Sequence, residues 1–186
     1  MKKIKIILLF LFVTFLFSEY IFVQEKKADT NEIKWMTFQQ AVEMNKKKKK
    51  KIFIDVYTNW CGWCKVMDKN TFTNPVIVKY INNKYYAVKL NAEMKDTVVF
   101  NNYTFVNPNP KIPRSTHQLA ASLLNNQLSY PTTIYLDKNF SILHQAQGYQ
   151  KPEQIEIIMK YFGEDEYKKT KWEDYHKTFK SEITLK

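Results

Sequence analysis

Glycine, cysteine and arginine are scarce in this 186-residue chain, with three, two and one copies respectively. So few cysteines exclude a disulfide-dense secreted scaffold, and so few glycines exclude collagen-like and low-complexity classes. A single arginine among 29 basic residues argues against nucleic acid as a partner, despite the formal charge of +11. Bidentate reading of phosphate and base edges draws on guanidinium, whereas this lysine excess fits an AT-rich coding bias. What the chain does have is 45% hydrophobic and 16% aromatic residues. That is enough for one packed core, in a length too short for two ordinary domains.

One long apolar run occurs, at the start. Lys2, Lys3 and Lys5 precede Ile6 to Phe17, which is broken only by Thr14. A basic n-region followed by such an h-region describes a secretory signal. No A-x-A triplet follows it, and Ile4 to Val23 is also about long enough to cross a bilayer. Residues 1–23 are therefore expected to be a signal peptide cut near Ser18 or Val23, with a retained N-terminal anchor as the alternative. Either way the remainder is expected to be periplasmic or otherwise exported, where disulfides persist. Membrane contact is expected only if the segment is retained.

From residue 30 the pattern is an alternating α/β chain. Thr37 to Gln40 is a capping box opening a short helix, with Phe38, Ala41 and Val42 on one face. Lys46 to Lys51 is expected to be a solvated loop ahead of a buried strand, Ile52 to Tyr57. Thr73-Asn74-Pro75 starts a helix, and Tyr85 to Leu90 is a second strand. Val98 to Phe100 and Tyr103 to Val106 flank Asn101-Asn102 as a hairpin, inside an expected insertion at about 96–113 that continues through Pro108, Pro110 and Pro113. Ser115 to Asn125 is expected to be helical, Thr132 to Leu136 and Ser141 to Gln145 to be strands, and Pro152 to Phe162 a helix ending at Gly163. These bound a domain over 30–163. In the extension 164–186, Tyr167, Trp172, Tyr175 and Phe179 lie near helical spacing, which predicts an amphipathic C-terminal helix packed on the domain or on a partner.

Chemistry concentrates at Trp60-Cys61-Gly62-Trp63-Cys64-Lys65. Cysteines three apart at the start of a helix can close a disulfide across its first turn. The free N–H groups and positive dipole end there stabilise a Cys61 thiolate, lowering its pKa to about 7 or below. Cys61 could then attack a disulfide, and Cys64 resolve the mixed disulfide. A passive disulfide competes, although so short a loop constrains the unfolded chain little. A metal site would need two further ligands, and His117, His144 and His176 have no paired spacing, so no metal is expected.

The run from Ile52 to Lys65 resembles the active-site strand and helix start of the thioredoxin superfamily. Its continuation, Met67-Asp68-Lys69-Asn70-Thr71-Phe72, is similar to the C-terminal domain of DsbD-type transmembrane reductases and related exported bacterial proteins. The resemblance spans roughly Trp35 to Gly163. It implies a thioredoxin-like α/β fold, a central mixed β-sheet flanked by helices, here with a small hairpin insertion and a C-terminal helical extension. It further implies that Asp55 is the buried acid serving the resolving cysteine and Lys89 the lysine near it. Ser129-Tyr130-Pro131-Thr132 matches the loop whose cis-proline lies against the sulfurs, and Gly148 matches a glycine before the last helix.

These roles have a physical basis. A carboxyl in an apolar strand resists ionising, so Asp55 could act as a base for a thiol, with Lys89 limiting the rise. A cis bond at Pro131 would leave backbone groups free for an extended substrate. Trp60 and Trp63, with Tyr130, would wall the site with apolar surface. The dipeptide between the cysteines is Gly-Trp, with no histidine or lysine to stabilise the thiolate strongly, which points to a reductase or exchanger more than a strong oxidant. The expected function is extracytoplasmic dithiol–disulfide exchange on client proteins, with no cofactor and with a separate redox partner protein. A non-catalytic binding or chaperone module is the alternative.

Overall fold

A computed structural model describes residues 31–184. The expected signal or anchor, residues 1–23, lies outside them. Five strands form one sheet: β1 (Trp35–Met36), β2 (Lys51–Tyr57), β3 (Tyr85–Asn91), β6 (Thr132–Leu136) and β7 (Ile142–Gln147), in the order β1-β3-β2-β6-β7. β2 runs parallel to β3 and antiparallel to β6, so the sheet is mixed, with β2 at its centre. β4 (Val98–Phe100) and β5 (Tyr103–Phe105) make a separate hairpin. Its turn residues Asn101 and Asn102 both have positive φ, at 50° and 60°, the conformation a two-residue hairpin turn requires and asparagine tolerates.

β2 is apolar through most of its length because both of its faces are covered. Ile52, Ile54 and Val56 pack with Phe38, Ala41 and Val42 of α1 (Phe38–Lys47) and Leu119, Ala120 and Leu123 of α4 (Gln118–Leu123). Phe53 faces the other way, against Met67 of α2 (Gly62–Asn70), Ile77 and Ile81 of α3 (Pro75–Lys84), and Ile155 and Met159 of α5 (Pro152–Gly163). Burying a side chain such as Phe53 contributes about 2–3 kcal/mol, and the strand does so in both directions. The alternation of side chains then sends Asp55 to the Phe53 side, the side of the cysteine-bearing helix.

Helix starts follow their local chemistry. Thr37 and Gln40 form the reciprocal capping box of α1, and Asn74 caps α3 with Pro75 at its first turn. Three expectations are corrected. The helix expected over 115–125 is confined to Gln118–Leu123, because His117 caps its start and Asn125 and Asn126 turn left-handed at its end. The lysine run is not one solvated loop. Lys46 and Lys47 close α1, while Lys50 donates to the Asn82 carbonyl (2.9 Å) and Lys51 to the Gly163 carbonyl (3.2 Å). Partial burial pulls Lys50 down to about 8, with Lys48 adding to the shift. The C-terminal helix is also shorter than the aromatic spacing predicts. A 3-10 turn, Glu166–Lys168, precedes α6 (Trp172–Thr178), and Phe179 already has extended backbone. The tail nevertheless packs on the domain, with Trp172 and Tyr175 against the ring of Tyr161 at 5.2 and 5.0 Å.

Candidate active site

Cys61 and Cys64 are joined by a disulfide at the point where β2 has ended and α2 begins. Cys61 is the N-cap of this nine-residue helix, and its Sγ accepts the backbone N–H of Cys64 at 3.0 Å. The Cys61 N–H donates to the Thr58 carbonyl at 3.2 Å, which seats the sulfur over the helix start. A sulfur so placed has an N–H donor aimed at it and stands at the positive end of the helix, both of which favour a thiolate.

Behind the helix lies a charged group sunk in the core. Asp55 is only 1% exposed. Its Oδ2 accepts from Lys89 Nζ at 2.5 Å, its cross-strand neighbour on β3, while Oδ1 is buried without a hydrogen-bond partner. Burial pushes the Asp55 carboxyl up to about 6, against the pull of Lys89 and with a small push from Asp68. Lys89 also donates to Asp68 on α2, and its ammonium lies 5.1, 5.0 and 5.3 Å from the rings of Trp35, Tyr57 and Phe72. Burial works against its charge, but the two carboxylates outweigh burial and hold its pKa above the usual lysine value. The strand register thus supplies an acid–base pair on the helix side of the sheet.

The outer rim is aromatic. Trp60 and Trp63 remain 51% and 62% exposed beside the sulfurs. Trp60 stands edge-on to Tyr130 at 5.9 Å, and its indole N–H donates to Glu93 Oε1 at 2.7 Å. Trp63 lies against Tyr149 at 5.5 Å. The Tyr130–Pro131 peptide bond is cis, at the entry to β6. Gly148 has φ of 85°, and its N–H donates to the Pro131 carbonyl at 2.8 Å. A residue with a Cβ would be strained there.

Three contact groups therefore emerge from the residues singled out in the sequence: Asp55 with Lys89, Trp60 with Tyr130, and Pro131 with Gly148. Cys61 and Cys64 are bonded, and Trp63 has its ring contact with Tyr149. Sequence reasoning does not assign site roles to Asp68, Glu93, Arg114 or Tyr149. Asp68 sits four residues after Cys64, one helical turn on, a spacing that could flag it. Tyr149 follows the glycine of the family pattern. Glu93 carries no comparable signal, because it reaches Trp60 from a separate loop.

Known proteins share this architecture. The Thioredox_DsbH family model, described as a protein of unknown function (DUF255), matches residues 17–181. Among solved structures, a DsbH oxidoreductase superposes with a TM-score of 0.50 at 13% identity, over 76% of this chain and 92% of that one. A thioredoxin-fold protein from Helicobacter pylori superposes with a TM-score of 0.52 at 16% identity, over 81% of this chain and 89% of that one. At such identities the likeness is one of fold. An uncharacterized protein of Caenorhabditis elegans is 35% identical over 69 residues, 37% of this chain and 10% of its own length. Mouse spermatogenesis-associated protein 20 is 31% identical over 77 residues, 41% of this chain and 10% of its own length. The matched part of this chain spans about a tenth of the length of these curated relatives.

Proposed function

The chain belongs to the Thioredox_DsbH (DUF255) family and has a thioredoxin-like fold, and from that premise we propose that it is an extracytoplasmic thiol–disulfide oxidoreductase acting as a reductase or exchanger on client proteins. The observation that carries the reading is the Cys61 sulfur, disulfide-bonded to Cys64 while accepting its N–H at the start of α2, in front of a buried acid–lysine pair.

In the reductive direction the Cys61 thiolate attacks one sulfur of a client disulfide. That bond breaks, a mixed disulfide forms through Cys61, and one client thiolate leaves. Cys64 then gives up its proton to Asp55 and attacks the Cys61 sulfur, closing the Cys61–Cys64 disulfide. The second client sulfur is released as a thiolate, which takes up a proton from Asp55 or solvent. Two electrons pass from the dithiol to the client, and a separate dithiol partner protein returns them. A carboxyl with a pKa near 6 is suited to take a proton near neutral pH, and Lys89 holds it in place. Trp60, Trp63, Tyr130 and the backbone at Pro131 receive the client segment. The basic start and apolar run within residues 1–23 support a site of action outside the cytoplasm.

The exposed indoles of Trp60 and Trp63 also suit a non-catalytic binding module. Cys64→Ser separates the two readings. Exchange predicts client proteins held to Cys61 by bonds that dithiothreitol releases, and none with the Cys61→Ser, Cys64→Ser double variant. An empty trap in the native compartment would favour the binding module. Alkylation of the reduced protein against pH should titrate Cys61 at about 7 or below, the range of such motifs. An ordinary thiol value near 8.5 would remove the mechanism.

A further inference from the structure

In a chain whose basic residues are otherwise all lysine, the one arginine stands on the aromatic rim of the sulfur site. The Arg114 guanidinium lies over the Trp60 ring, 5.0 Å from its centroid, and Trp60 directly precedes Cys61. Arginine and lysine differ most in this setting. A planar guanidinium stacks on an indole face while keeping its edge donors available, and an ammonium does not. Among the described residues no carboxylate or carbonyl pairs with this guanidinium, so its N–H groups face solvent. The acid at this rim, Glu93, is engaged with the indole N–H.

The fold devotes several interactions to presenting that one side chain. Arg114 has φ of 64°, a left-handed conformation costly for a residue with a Cβ. Asn107 holds the loop, donating to the carbonyls of Met94 (3.3 Å) and Ser115 (2.8 Å) and accepting from Ser115 Oγ (2.6 Å). His117 Nδ1 accepts the Leu119 N–H, which leaves the ring proton on Nε2 to donate to the Asp96 carbonyl at 2.9 Å. The start and end of the insertion are thereby tied together, with Arg114 carried between the ties.

We infer that Arg114 is a specificity-determining residue that binds a carboxylate of the client segment beside the disulfide under attack, selecting acidic flanking sequence. Trp60 is its platform, fixed by Glu93 at the indole N–H and by Tyr130 at the ring. A client carboxylate would meet two parallel N–H donors, the fork geometry guanidinium offers. The inference rests on the exchange reading above and names the substrate class for that same site.

The test is single-turnover reaction of the pre-reduced, desalted protein with two disulfide peptides, one with glutamates flanking the cysteine and one with glutamines. The wild type should react with the acidic peptide about three- to fivefold faster, the worth of an exposed ion pair. Arg114→Gln should bring that ratio to about one, whereas Lys177→Gln, an equal change of net charge on α6, should leave it standing. Arg114→Lys, which keeps the charge but loses the stacked fork, should fall between. Equal rates with the two peptides in the wild type, or an unchanged ratio in Arg114→Gln, would overturn the assignment. No reaction with either peptide would instead overturn the exchange reading, and the assignment with it.

Discussion

Asp55 is where burial and charge pull in opposite directions, and its pH behaviour exposes the balance. Its folded pKa of about 6 lies above the ordinary 3.8. Between those values the unfolded chain has released a proton that the folded chain still holds. Stability therefore falls as pH rises from about 4 to about 6 and is level above that. The full change is on the order of 3 kcal/mol, since each tenfold difference in acidity between the folded and unfolded carboxyl is worth about 1.4 kcal/mol. Asp55→Asn in the oxidised protein should lack this decline, so that urea midpoints of the two proteins diverge across the window. Parallel curves would mean that the carboxyl ionises as an exposed one does. The acid and its lysine were legible in the sequence, since one polar residue interrupts each of two apolar strands and the spacing to Cys61 matches a known pattern. The contact of Arg114 with Trp60 was not legible. It depends on a loop path set by Asn107 and His117, whose bonds join segments that no periodicity links.

At the scale of elements, one amide makes several of the bonds that hold the hairpin insertion, alongside the His117 ring. Asn107 is only 7% exposed and makes four hydrogen bonds, the last accepting from the Asn109 N–H at 3.1 Å. Asn107→Ala would strand the Met94 and Ser115 carbonyls and should cost about 1–3 kcal/mol. Amide exchange should accelerate at Asn109 and Ser115 and stay unchanged within α3. Uniform acceleration would indicate that the loop unfolds only with the whole domain. Strands and capped helices were predictable because their signals are local: Thr37 with Gln40, Asn74 with Pro75, the asparagine pair of the hairpin. Element ends were less so. Helix α4 stops short of its apolar pattern because Leu124 stays buried after the helix has ended and the chain turns at Asn125.

For the whole molecule, the C-terminal tail acts as a clasp over α5. Glu156 is fully buried and accepts from Lys160 Nζ at 2.7 Å, from the Glu182 N–H at 2.9 Å and from the Ser181 hydroxyl. Burial opposes its charge, yet these donors hold its pKa below the usual 4.5. The sign is opposite to that of Asp55. The contribution is complete above about pH 4.5 and is lost as acid protonates the folded carboxylate. Glu156→Gln should cost on the order of 2 kcal/mol at pH 7 and blunt the acid-induced loss, as read from thermal unfolding at about pH 7 and about pH 3.5. A glutamate on a helix reads in sequence as surface, so this anchor was hidden until the tail folded back.

The order of the sheet carries one more consequence. Its two outermost strands are β1, only two residues long, and β7, which carries His144, Gln145 and Gln147 and pairs with β6 through an irregular register at Leu136. Neither rim presents the long, flat, apolar edge on which a second copy could add a strand. Both rims of this sheet are thus of the kinds that discourage edge-to-edge strand addition.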